Sequence, residues 1–231
     1  VHNYFPPPKI PFVFNLASTK KEIRELSIKL ACAAIDICVE LEAPIYSFHA
    51  GFFFDPSTSE LGGAKRRHKL VKPAEGINYF VDSYCLIQEY SEKKGIQIFV
   101  ENNVLDSENY NELGCTKAAM LLDNKDYERL FELIGFNLLL DTGHLKVSAK
   151  TLGLPFAQQF KSLAKKAGFL QISDNNNKKD QNRGVLSHSQ IHSLLNSIAL
   201  EDKWLSLEVY EDMQSIRETK TVVEKLIQGK R

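Results

Sequence analysis

This chain has no excess of charge of either sign. Its 231 residues carry 29 Lys+Arg and 29 Asp+Glu, a formal net charge of zero. That balance removes the broad electrostatic attraction that nucleic-acid and membrane-surface proteins use. Long apolar runs are missing too, none approaching the roughly 18 residues that cross a bilayer. There is no Gly-rich phosphate loop, no low-complexity stretch and no break in composition, so residues 1–231 read as one domain. The four cysteines, Cys32, Cys38, Cys85 and Cys115, form no C-x-x-C pair. They are expected to be buried free thiols of a reducing compartment, which reads as cytoplasmic. No signal peptide is visible, and the first residue is Val1 rather than Met, so an earlier segment is expected.

What is present is alternation of strand and helix from end to end. Val1–Tyr4 reads as a strand end before Pro6-Pro7-Pro8. Thr19-Lys20-Lys21-Glu22 reads as a capping box opening a long helix. Strands are expected at Ala43–His49, Ile96–Glu101, Asn137–Asp141, Gly168–Ile172 and Trp204–Val209. Helices are expected from Pro73 to Gly95, over Asp126–Ile134, Pro155–Lys166, Ser187–Ala199 and Met213–Ile227, with a helical turn around Thr116–Leu122. Six short strands separated by helices predict a parallel sheet with helical crossovers. A closed (β/α)8 barrel has eight strands and about 250 residues. The expectation is therefore a barrel lacking two βα units, or one that is open; a doubly wound sheet is the structural alternative.

Four of these strands end in a polar side chain. Glu101, Asp141, Gln171 and Glu208 follow apolar runs at intervals of 40, 30 and 37 residues, each about one βα unit, and His144 lies three residues after Asp141. Strand ends of a parallel barrel converge on one face, so these groups are placed to share a site. Carboxylates with further O or N donors suit Mn2+, Mg2+, Co2+ or Zn2+. A cation there can polarise a carbonyl, and a neighbouring carboxylate can move a proton on carbon.

The ordered set His2-Asn3-Tyr4-Phe5-Pro6, His49-Ala50-Gly51, Glu101-Asn102-Asn103, Asp141-Thr142-Gly143-His144, Ser173-Asp174-Asn175 and Leu207-Glu208-Val209 resembles the xylose isomerase-like barrel superfamily. That group holds sugar and sugar-phosphate isomerases and epimerases together with the class II apurinic endonucleases. The resemblance implies that Val1–Tyr4 is the third barrel strand, with strands one and two preceding it. It implies a metal held by Glu101, Asp141, Gln171 and Glu208, where Gln171 stands in place of the usual histidine. Glu101 and Glu208 would be the acid–base pair, working through a metal-stabilised enediolate. His2, His49 and His144 would contact a small sugar or sugar phosphate, in a role in carbohydrate metabolism. Arg183 follows the Gly168–Ile172 strand on the same face and is placed to bind a substrate hydroxyl, carboxylate or phosphate, with a solvated loop arginine as the alternative.

The endonuclease branch uses three zinc ions, and His2, His49, Glu101, Asp141, His144 and Glu208 match six of its ligand positions. Its strand-seven histidine and the following Asp-x-His motif are absent, and with zero net charge nucleic acid is not the expected partner. A sugar-binding barrel without catalysis is a third reading. No membrane partner is expected; a homo-oligomer would cover an open sheet edge. Lys65–Lys69 reads as a solvated charge run, and His188 and His192 as surface histidines. Tyr4, Phe5, Phe52, Phe53 and Phe54 are expected around the barrel mouth.

Overall fold

The computed structural model describes residues 1–60 and 68–229. Five parallel strands, β1 (Ile45–His49), β2 (Gln97–Glu101), β3 (Leu138–Asp141), β4 (Phe169–Ile172) and β5 (Trp204–Leu207), hydrogen-bond in sequence order. Helices return the chain between them: α1 (Lys21–Glu40) precedes β1 and α2 (Pro73–Lys94) follows it, then come α3 (Ser107–Glu112), α4 (Asn124–Ile134), α5 (Thr142–Thr151), α6 (Phe156–Ala164), α7 (Gln190–Asn196) and α8 (Met213–Gln228). The result is a curled half-barrel backed by helices, the incomplete barrel that the strand count predicts. No helix among the described residues is long and apolar enough to cross a membrane.

Side chains alternate across each strand. Tyr46, Phe48, Ile98, Val100, Leu138, Leu140, Leu170 and Ile172 join the main core with residues of the helices. The opposite face carries Phe99, Leu139 and Phe169 as a separate buried cluster, with Ile45 against it. Farther along that face come His49, Glu101, Asp141 and Gln171, with His49 beside Glu101 and Asp141 beside Gln171 in register. The inner face is thus apolar at its base and polar at the carboxyl ends of the strands.

Several local expectations are corrected. Val1–Tyr4 forms no strand; a single parallel bridge joins His2 to Ser47, because Asn3 turns to φ 36° and ends the extended backbone. No side-chain bond caps α1, and Ser18 Oγ instead accepts from Lys20 N. Thr116–Leu122 is not a helical turn: Ala118 O and Met120 N bond back to Phe53 N and Gly51 O, and Leu121 lies at φ 56°. Helices α3 and α5 are additional to the expected elements; each is capped by an aspartate, Asp106 and Asp141. His188 precedes α7, so it does not share a helical face with His192. Cys38 is buried, but Cys85 and Cys115 are exposed. Of the basic run, Lys65, Arg66 and Arg67 lie outside the described residues, while His68 pairs with Glu60 at 2.8 Å and packs on Phe54.

Two asparagines join the loops that surround the polar end. The fully buried Asn15 donates through Nδ2 to Phe52 O and Phe54 O, and its Oδ1 accepts from Ala17 N and Phe52 N. Asn103 Nδ2 donates to Ala50 O at 2.7 Å and Met120 O at 3.1 Å. Between them Gly51 packs so closely on Ala17 that an added Cβ would sit 2.5 Å from the Ala17 Cβ. Replacing Asn15 strips partners from several buried backbone groups at once. Asn15→Ala is expected to lower the unfolding free energy by about 3 kcal/mol or more in a urea titration. A loss under about 1 kcal/mol would show that these bonds do not hold the loop.

Candidate metal centre

Glu101 lies at the carboxyl end of β2, and its side chain is wholly shielded from solvent. Neither carboxylate oxygen has a hydrogen-bond partner of good geometry among the described residues. Three imidazoles surround it. His2 Nε2 is 3.3 Å and His49 Nδ1 3.5 Å from Oε2, and His144 Nδ1 is 3.2 Å from Oε1. His2 is set by Ser47, whose Oγ lies 2.9 Å from its Nδ1.

Asp141 has two duties. Its Oδ1 accepts from His144 N at 2.7 Å and so caps α5, while Oδ2 is buried without a partner among the described residues. Asn102 locks β2 to β3 by accepting from Asp141 N and donating to Asp141 O. His144 Nδ1 lies 2.9 Å from Asn102 O, a group that can only accept, so this nitrogen carries a proton. His144 Nε2 faces Asp180 Oδ2 at 3.2 Å.

The charges follow from this packing. Burial alone would raise the Glu101 carboxyl, but His49, His2 and His144 together hold it well below the usual carboxylate range. Burial pushes Asp141 the other way, strongly up; His144 opposes the rise, and Glu101, Asp180 and Glu208 add to it. Burial would also lower His144, yet Asp141, Asp180 and Glu101 carry it well above an ordinary histidine. Desolvation brings His49 down to about 4, leaving a neutral ring whose Nδ1 has no hydrogen-bond partner among the described residues. The centre therefore holds more buried acid than base, and His144 is its internal cation.

Such a centre fits a divalent ion. Two groups of donor atoms lie within 4.8 Å of one another: His2, His49 and Glu101, and Glu101, Asp141 and His144. Ligands of one tetrahedral ion with bonds of about 2.0–2.1 Å lie about 3.4 Å apart. The 3.3 and 3.5 Å separations from Glu101 Oε2 to the two histidines match that spacing. The unpartnered Glu101 and Asp141 oxygens are the acceptors that an ion would use.

Gln171 and Glu208 meet each other instead. Gln171 Nε2 donates to Glu208 Oε2 at 2.5 Å, and Tyr210 Oη donates to Glu208 Oε1 at 2.5 Å. Glu208, Tyr210, His49 and His144 line a cavity of about 550 Å3. Tyr4, Phe14, Phe52 and Phe54 supply its aromatic wall, whereas Phe5 is exposed and Phe53 turns into the core. Arg183 is exposed and is not a lining residue; its backbone pairs with Asp174. That pairing closes a loop, anchored by the buried Lys146 on Asp174 and Asn175 O, that delivers Asp180 to His144.

Sequence reasoning missed Asp180 and Tyr210. Tyr210 lies two residues beyond Glu208, a same-face spacing that was available. Asp180 sits in a polar loop with no periodicity to mark it.

A search of curated proteins by sequence finds no match. Among solved structures the chain is similar to a D-tagatose 3-epimerase-like protein, with a TM-score of 0.71 at 16% identity over 100% of this chain and 78% of the other. It is also similar to D-psicose 3-epimerase from Clostridium cellulolyticum, solved with D-tagatose (TM-score 0.59, 14% identity, 92% of this chain and 74% of that one). Endonuclease IV from Thermus thermophilus matches at TM-score 0.57 and 14% identity, over 93% of this chain and 72% of that chain. At these identities the likeness is one of fold. A family model described as the xylose isomerase-like TIM barrel matches residues 1–227, and the chain belongs to that family.

Proposed function

We propose that this chain is a divalent-metal-dependent isomerase or epimerase of a small sugar or sugar phosphate. The observation that carries the reading is the placement of Glu101 and Glu208. They stand three strands apart at the polar end of the sheet, Glu101 in the buried centre and Glu208 on the wall of an aromatic-lined cavity. A cavity of about 550 Å3 suits a small ligand, and aromatic walls suit sugar faces.

His2, His49, Glu101 and Asp141 would hold the metal, with His144 beside them, and the mixed N and O donors suit Zn2+ or Mn2+ best, ahead of Co2+ and Mg2+. When bound, the metal would polarise a substrate carbonyl and its neighbouring hydroxyl. One glutamate takes a proton from the carbon beside that carbonyl, and the other returns a proton to the opposite face. The aromatic wall keeps bulk water from the carbanionic carbon. Because the reaction is reversible, both carboxyls trade roles.

One observation favours a second reading. Glu101 belongs to both donor groups, as a carboxylate bridging two ions would, and such pairs serve phosphodiester hydrolysis. A polyanionic substrate is poorly served here, however. The only Lys or Arg among the described lining residues is Lys179, already paired with Asp106 and Glu108, and Asp180 and Glu208 line the same cavity.

In heavy water with Mn2+, Co2+, Mg2+ or Zn2+, the protein is expected to place solvent deuterium on carbon in at least one ketose or aldose, read by NMR. Glu208→Gln is expected to slow that exchange by about 10²–10⁴-fold. No exchange across a broad sugar panel, together with nicking of abasic DNA, would replace this reading with the hydrolytic one.

Metal binding is linked to protons. Asp141 and His144 are both raised in the folded protein, so each contributes stability that is present at low pH and is lost as pH rises through its folded value. Chelator-treated protein is therefore expected to lose melting temperature between about pH 6 and pH 9. Asp141→Asn should flatten that slope, and metal affinity should rise with pH over the same interval. A melting temperature that climbed with pH in the metal-free protein would contradict this charge assignment.

A further inference from the structure

The Gln171 amide is fixed at both ends. Its nitrogen lies 2.5 Å from Glu208 Oε2, and its oxygen lies 3.4 Å from Ser206 Oγ. Turning the amide over would set its oxygen against the Glu208 carboxylate, two acceptors with no proton between them, so the orientation follows from the partners. The Gln171 oxygen thus points along the sheet to β5 rather than toward Glu101. The second Glu208 oxygen is taken by Tyr210 Oη. Tyr210 is itself fixed by a bond from its backbone N to Asn182 O at 2.8 Å. Both Glu208 oxygens therefore have donors, whereas both Glu101 oxygens and Asp141 Oδ2 have none among the described residues.

We propose that Gln171 and Tyr210 are positioning residues that hold Glu208 off the metal centre and leave it as a free-standing carboxylate aimed into the cavity. This divides the work between two ends of the sheet. The β1–β3 end, with His2, His49, Glu101, Asp141 and His144, is the place for the cation. The β4–β5 end, with Gln171, Glu208 and Tyr210, holds the one of the two proton-transfer carboxylates that is not a metal ligand. The sequence expectation that Gln171 and Glu208 complete the ligand set is replaced by a second, metal-free constellation. The assignment of Glu208 to proton transfer rests on the isomerase reading; its exclusion from the metal centre does not.

Mn2+ binding to purified protein, followed by electron paramagnetic resonance without any substrate, separates the two. Glu101→Gln is expected to weaken Mn2+ binding by at least about 100-fold, while Glu208→Gln and Tyr210→Phe stay within about threefold of wild type. Tyr210 is 72% exposed, so its loss of one hydroxyl leaves the fold intact, and circular dichroism checks each variant. If Glu208→Gln loses Mn2+ as Glu101→Gln does, Glu208 is a ligand and the proposal is overturned. With a sugar that exchanges deuterium, Tyr210→Phe is expected to cut kcat by about 10-fold or more with KM within about twofold, and to shift the pH profile of kcat. Unchanged kcat and pH profile in that variant would overturn the positioning role. Absence of any exchanging sugar would count against the isomerase reading while the Mn2+ result stands by itself.

Discussion

The structure is organised around an ionised carboxylate that has been taken out of water. Glu101 is fully buried, and the groups nearest its oxygens are imidazoles rather than backbone N–H donors. Burying such a charge costs several kcal/mol unless it is paired. His144 supplies one positive charge, but Asp141 and Asp180 draw on the same ring. The donors are complementary to a small divalent ion, and the surrounding architecture serves to hold them still.

That architecture is parallel-sheet geometry with polar stitching. Adjacent strands place His49 beside Glu101 and Asp141 beside Gln171 in register. Below them Phe99, Leu139 and Phe169 fill the inner face, so the polar groups rest on a dry floor. Asn102, Asn103 and Asn15 then tie the loops to strand ends through backbone groups. Gly143 is part of the same fit, since an added Cβ would lie 2.4 Å from Ser173 Oγ where α5 leaves β3. The asparagines and glycines of the site are thus scaffold that holds the histidines and carboxylates in place.

Much of this was legible in the sequence because it is periodic. Apolar runs ending in Glu101, Asp141, Gln171 and Glu208 gave the strands, their order and the face on which they meet. Pairing across the site was not legible. Nothing in the chain says that Gln171 turns its nitrogen to Glu208, because that depends on Ser206 and Tyr210 approaching in space. Asp180 was hidden for a similar reason: a loop closed by Asp174 and Arg183 and anchored by Lys146 brings it to His144. The short helix α5 escaped notice because its first residues look like a motif at a strand end, and nearly all of its residues are buried, so it shows no amphipathic stripe.

The central claim is that a cation belongs at Glu101. Anomalous diffraction at the metal edge, from crystals grown with Mn2+ or Zn2+, tests it most directly. The account predicts a peak about 2.0–2.3 Å from Glu101 Oε2, with His2 Nε2 and His49 Nδ1 among its ligands. A peak bound by Gln171 and Glu208 instead, or none near Glu101 at saturating metal, would contradict it.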